Sequence, residues 1–153
     1  MQLTNIARDV GQDAKNGRVY LPGTWQHQLI ASEIVDPQAE QTKHLQAATK
    51  RILTLAELYY RSGLSGVGYL PPAARYGIIV AARVYREVGQ KVAQADYQSW
   101  DRRAVISQPR KVLCAASTLV RYAMYPSERQ SHPLHERSLH RHLQDCFGTD
   151  QAP

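Results

Sequence analysis

The sequence predicts an all-α domain. Three observations carry this. Apolar residues recur at helical spacing through most of the first 124 residues, start and stop signals bracket those stretches, and no apolar–polar alternation is sustained long enough for a strand. At 153 residues one domain is expected, and an apolar fraction of 43% is sufficient for a core.

The first helix is expected over residues 2–15, with Leu3, Ile6, Ala7, Val10 and Ala14 on one face. Lys15-Asn16-Gly17 stops it, because Gly17 can take φ > 0. Residues 18–22 read as an extended exit, and Gly23 to Val35 as a loop with one short helix. Asp36-Pro37 reads as a helix start, Asp as N-cap and Pro at the first helical position. That helix should run to about Arg61, with Leu45, Ile52, Leu55, Ala56, Leu58 and Tyr59 as its apolar side, and Ser62-Gly63 should end it. Leu64 to Pro71 is turn-rich, with Gly66 and Gly68. A long helix follows from Pro72 to about Ala95. It is apolar over much of its circumference, from Ile78 through Val92, and is therefore expected to be buried. The last helix begins near Pro109 and reaches Met124. The organisation expected is a helical domain at 1–124 and a polar, His-rich, poorly ordered tail at 125–153.

Composition narrows the function. No run of eighteen apolar residues exists, and the N-terminus lacks a basic-then-apolar signal pattern. Cys114 and Cys146 fit no metal spacing and read as reduced thiols in a cytoplasmic protein. The net charge of +6 is concentrated in residues 1–124, which hold 16 Lys+Arg against 9 Asp+Glu. Such a balance suits nucleic acid, an anionic membrane face or solubility alone. Without an aromatic–basic interleave or a helix-turn-helix signature, no nucleic-acid partner is expected. His132, His135, His140 and His142 match no established zinc spacing.

The chemistry concentrates at the start of the chain. At ~100° per residue, Gln2, Asn5, Asp9 and Asp13 share an arc of roughly 80° opposite the apolar face. Amide and carboxylate oxygens stacked one turn apart suit a hard cation such as Mg²⁺, and such a cation suits a diphosphate. A solvated polar face is the alternative reading. Arg8 lies off the centre of this face, placed to pair with Gln12 or Asp13 or to clamp phosphate. Tyr85, beside the small residues Ala81 and Ala82, either borders room for an apolar chain or packs helix on helix.

Gln-Leu-Thr-Asn-Ile-Ala-Arg-Asp-Val at 2–10, then Asp13 and Gly-Arg-Val-Tyr-Leu-Pro at 17–22, resembles the second aspartate-rich motif of the squalene/phytoene synthase family. A second block agrees in order and spacing: Leu70-Pro71-Pro72, the stretch from Ala81 to Val92, Trp100-Asp101-Arg102-Arg103-Ala104 and Lys111. The similarity is strongest to bacterial phytoene synthases and covers about Gln2 to Leu113. It implies part of an isoprenoid synthase helical bundle. It implies Mg²⁺, with Mn²⁺ as the alternative cation, on Asn5, Asp9 and Asp13, bridging to a prenyl diphosphate. It implies Gln2 in the cavity wall, Arg8, Arg18 and Arg102 as phosphate contacts, Tyr20 at the cavity floor and Tyr85 at the reacting chain. The reaction implied is head-to-head condensation of two geranylgeranyl diphosphates to phytoene through a cyclopropyl diphosphate, in carotenoid biosynthesis. A squalene-type synthase using farnesyl diphosphate is the alternative.

Family members run to roughly twice this length and carry an earlier aspartate-rich motif facing this one. The remaining acidic pairs here, such as Glu33 with Asp36 and Asp96 with Asp101, do not repeat the pattern. The chain is thus expected to be the C-terminal half of a synthase, inactive alone, or a half that works with a separate N-terminal half. Without that half, the helices at 2–15 and 72–95 should expose apolar surface and favour self-association. A peripheral contact with a membrane surface is the further expectation from the basic charge.

Overall fold

The computed structural model describes residues 1–124 and 138–139. The described chain is helical throughout, with no strand among the described residues. In order it forms α1 (Gln2–Lys15), α2 (Gly23–Gln26), α3 (Ala31–Val35), α4 (Ala39–Ser65), a 3₁₀ turn (Val67–Tyr69), α5 (Pro72–Gln94) and α6 (Gln108–Met124). The all-α expectation holds. The tail at 125–153, with its histidines and Cys146, lies outside the described residues apart from Ser138 and Leu139.

Helix α1 sits at the centre, packed against α3, α4 and α5. Its Ala7, Val10 and Ala14 enter a core with Leu21, Leu29, Ile34, Leu45, Ala48, Ile52 and Trp100. This corrects the expectation of an unpartnered α1: its apolar face is covered by α3, by α4 and by Trp100. Gly17 ends α1 as expected, at φ +72°. The Gly17 amide donates to Ala14 O (2.9 Å) and the Arg18 amide to Asp13 O (2.8 Å), the paired bonds of a Schellman motif.

Helix α4 does not start at Asp36-Pro37. The segment 23–35 contains two short helices rather than one, and α3 runs up to Asp36, which becomes its C-terminal flank. The capping work passes to the next residues: Gln41 Oε1 accepts from the Gln38 amide (2.7 Å), while Gln41 Nε2 donates to Glu33 (3.2 Å) and ties α4 to α3. Nor does Ser62-Gly63 end the helix. A helical glycine costs about 1 kcal/mol. Burial of Ser62, Ser65 and Val67 around Gly63 outweighs that and carries α4 to Ser65.

Helix α5 matches its expected span, but its burial does not. Ile79, Ala82, Val88 and Val92 are buried, whereas Ile78 is exposed. Contacts with α1, α4, α6 and the 3₁₀ turn cover one side of it. Helix α6 turns its apolar side outward. Val112, Leu113, Leu119, Val120 and Met124 are each more than half exposed. It meets α5 through polar contacts: the Tyr76 hydroxyl donates to Ala115 O (2.9 Å), Arg83 to Thr118 (3.3 Å), and Arg110 pairs with Glu87 (3.1 Å). Cys114 is buried on that inner side as a free thiol.

Candidate functional site

The site is built on the face of α1 that the core leaves free. Three devices assemble it. The helix period aligns Asn5, Asp9 and Asp13. The Schellman turn at Gly17 folds Arg18 back toward Asp13, where its positive charge acts on that carboxyl. The third is a close approach at Gly11. A Cβ there would lie 2.3 Å from Trp100 O and 2.6 Å from Trp100 Cα, so only glycine lets this backbone rest on α1. The approach delivers Arg103 to the polar face.

Asp9 is the hub. Its side chain is only 17% exposed. Arg8 grips it with a fork, Nε to Oδ1 (2.8 Å) and Nη2 to Oδ2 (2.6 Å), and Arg103 Nε donates to Oδ1 (2.7 Å). Burial alone would raise the Asp9 pKa. The hydrogen bonds and charges of Arg8 and Arg103 outweigh it and hold the carboxyl below its ordinary value. Asp13 goes the other way: burial and the neighbouring Asp9 charge push it up, against Arg18, Arg103 and Arg8. The Arg8 guanidinium is raised chiefly by its hydrogen bond to Asp9.

Asn5 supplies the most telling atom. Its Oδ1 is buried and has no hydrogen-bond donor. Buried oxygens of this kind are normally paired, and one left orphaned calls for an explanation. An amide oxygen one turn before an ionised carboxylate fits a hard cation, which takes oxygen ligands from one or two carboxylates and completes its shell with water and phosphate. Among the described residues no group of three or more His, Cys, Asp or Glu converges into a self-contained metal cage. One amide and two carboxylates on one helix face fit a cation that completes its shell with an anionic ligand.

The other expected site residues fall as follows. Gln2 is exposed at the helix start. Tyr20 is 53% exposed and shares a small recess with Ile6, Val10, Asp13 and Arg18. Tyr85 packs beside Ala56, Tyr60 and Ala82, next to Leu3. A cleft of about 500 Å³ opens elsewhere, between α4 and α5, lined by Thr4, Leu53, Ala56, Tyr60 and Gly89, on the far side of α1 from Asp9. Arg8 pairs with Asp9 rather than with Gln12 or Asp13, because its long side chain swings across one helical step. Arg102 is exposed beside Lys91, Gln98 and Val105, in a cleft that does not include Asp9. Of the adjacent pair, Arg103, which sequence patterning does not single out, is the one that reaches Asp9. Two adjacent arginines carry no mark of which one points inward. The signal lay in Gly11, a mid-helix glycine without a helical reason to be there.

The squalene/phytoene synthase family model matches residues 1–110. The 15-cis-phytoene synthase of Enterobacter agglomerans is 43% identical over 120 residues, covering 76% of this chain and 40% of that protein. The phytoene synthase of Rhodobacter capsulatus is 39% identical over 123 residues (77% and 35%), and the 15-cis-phytoene synthase of Pantoea ananas 42% over 120 (76% and 38%). The chain thus spans about two fifths of the length of these relatives. With the aspartate face on α1 and a matching profile over most of its length, the chain belongs to the squalene/phytoene synthase family.

Proposed function

We propose that residues 1–124 supply the C-terminal part of a phytoene-forming prenyltransferase domain, acting on geranylgeranyl diphosphate. The observation that carries this is the α1 face, where the orphaned Asn5 Oδ1 stands in line with Asp9 and Asp13. Asn5, Asp9 and Asp13 would hold Mg²⁺ or Mn²⁺, which supplies Lewis-acid stabilisation of a departing diphosphate. The lowered Asp9 carboxyl stays ionised at neutral pH and so keeps a ligand charge in place. Arg18 and Arg103 present guanidinium donors beside that face, matched to phosphate oxygens. Arg102, expected at a phosphate, lies in a separate cleft beside Lys91 and Gln98 and is given no part at this face. Tyr85, packed on the Ala56–Tyr60–Ala82 cluster and near enough to Arg8 to act on its charge, would border the carbocationic chain, where an apolar surround keeps water out.

The test is a chimera in which residues 1–124 replace the matched segment of the Enterobacter agglomerans relative. It should form phytoene from geranylgeranyl diphosphate with Mg²⁺, and Asp9→Ala or Asp13→Ala should abolish this while leaving helicity intact. Near-normal turnover in either variant overturns the assignment.

A second reading concerns location. No described helix is long and apolar enough to cross a membrane. The outward apolar stripe of α6 is flanked by Arg110 and Arg121 on a chain of net charge +6. That pairing supports peripheral contact with an anionic membrane surface.

A further inference from the structure

We propose that Arg103 is a built-in occupant of the cation position on α1: it neutralises Asp9 when no metal is bound, and a divalent cation must displace it. The inference rests on the reading of Asp9 as a metal ligand given above.

The two arginines on Asp9 are not equivalent. Arg8 sits on the same helix, one residue away, and its fork takes both carboxylate oxygens from the side. It moves only with α1. Arg103 arrives from a separate segment and adds a third donor to Oδ1. Its side chain is 54% exposed, against 17% for Asp9, so it can swing into solvent with little loss of packing. A guanidinium can satisfy the charge of Asp9 but not the whole site. Asn5 Oδ1 remains without a donor although both arginines are in place. A cation bonds carboxylate and amide oxygens together, whereas arginine serves only the carboxylate.

What holds Arg103 there is backbone, not its own side chain. Trp100 is 7% exposed, anchored in the core beside Ala7, Val10 and Ala14, and its main chain rests directly on Gly11. Three residues later the chain emerges at Asp9. Arg103 is therefore tethered at high effective concentration, free to leave the carboxylate but not the neighbourhood. A partly exposed charge pair of this kind is a modest competitor, and displacing it should weaken cation binding by about three- to tenfold. A diphosphate arriving with the cation gives the released guanidinium a new partner. Cation and anion binding then reinforce each other, and by linkage the reinforcement is the same in either order.

The experiment is Mn²⁺ titration of the 153-residue chain followed by electron paramagnetic resonance, with and without inorganic pyrophosphate. Arg103→Gln should tighten binding of Mn²⁺ alone by about three- to tenfold and shrink the gain that pyrophosphate brings. Arg102→Gln removes the same net charge without touching Asp9 and should change Mn²⁺ binding much less. Equal tightening in both variants, or no tightening in Arg103→Gln, overturns the proposal. Asp9→Asn separates the two readings. If it retains wild-type Mn²⁺ affinity, the metal assignment itself fails; if it loses binding while Arg103→Gln gains nothing, only the competitor role fails.

Discussion

Replacing Gly11 by alanine probes the contact on which the site depends. The new Cβ would lie 2.3 Å from Trp100 O, 2.6 Å from its Cα and 2.7 Å from its carbonyl carbon. Ordinary contact begins near 3.4 Å, so the Trp100 segment must retreat by about 1 Å. All three atoms are backbone, and none can rotate away as a side-chain tip would. Trp100 cannot retreat without loosening its packing on Ala7, Val10 and Ala14. Overpacking of this kind costs about 1–3 kcal/mol, and the shift also costs Asp9 one of its donors. Against this stands the helix preference of alanine over glycine, about 1 kcal/mol in its favour. The clash should win. Gly63 in α4 and Gly77 in α5 are the controls, since a Cβ at either meets nothing within 4 Å. There the helix preference acts alone, and alanine should stabilise by about 0.5–1 kcal/mol. Thermal and urea unfolding by circular dichroism, with tryptophan fluorescence, measures all three. Gly11→Ala should melt lower, by up to about 8 °C, with red-shifted emission, while the controls melt slightly higher. A Gly11→Ala protein that melts at or above wild type, with unchanged emission, refutes the reasoning.

Thr4 Oγ1 and the Tyr60 hydroxyl share a buried 2.8 Å hydrogen bond, so Thr4→Val should cost about 1–2 kcal/mol and the double variant Thr4→Val/Tyr60→Phe less than the sum; chemical denaturation checks both. The Asp9 pKa is lowered by folding, so its stabilisation is full above the unfolded carboxyl value and is lost as acid carries the pH down through the folded one. Asp13 has the opposite sign: its raised pKa makes the ionised form a cost at neutral pH. Asp13→Asn should therefore leave stability unchanged or raised at pH 7, while Asp9→Asn lowers it and flattens the acid limb, as urea midpoints from pH 3 to 7 would show. Replacing Val112, Leu113 and Val120 by Gln should reduce sedimentation with phosphatidylglycerol vesicles about tenfold, and neutral vesicles should bind little in either case.

Much of this architecture is legible in the residues because it rests on local rules. The α1 face follows from the period of the helix alone, and its stop from one glycine. Pro72 announces α5 because proline suits a first turn. The start of α4 is illegible for a tertiary reason: α3 claims Asp36, and the bond from Gln41 to Glu33 sets the boundary two residues later. The end of α4 fails likewise, since burial of Ser65 and Val67 outweighs a glycine penalty that only local chemistry would register. At the site, the alignment of Asn5, Asp9 and Asp13 is local, but its wiring is not. Arg103 reaches Asp9 across 94 residues of sequence, and nothing between them states that distance.

The most direct measurement is calorimetric titration of inorganic pyrophosphate into the 153-residue chain, with and without Mg²⁺. Wild type should bind pyrophosphate only weakly without the cation and at least tenfold more tightly with it. Asp9→Asn and Asp13→Asn should each lose that Mg²⁺-dependent gain while keeping the wild-type far-ultraviolet spectrum. Pyrophosphate affinity that is the same with and without Mg²⁺, or a gain that survives in either variant, would contradict the assignment of the α1 face as a shared cation–diphosphate site.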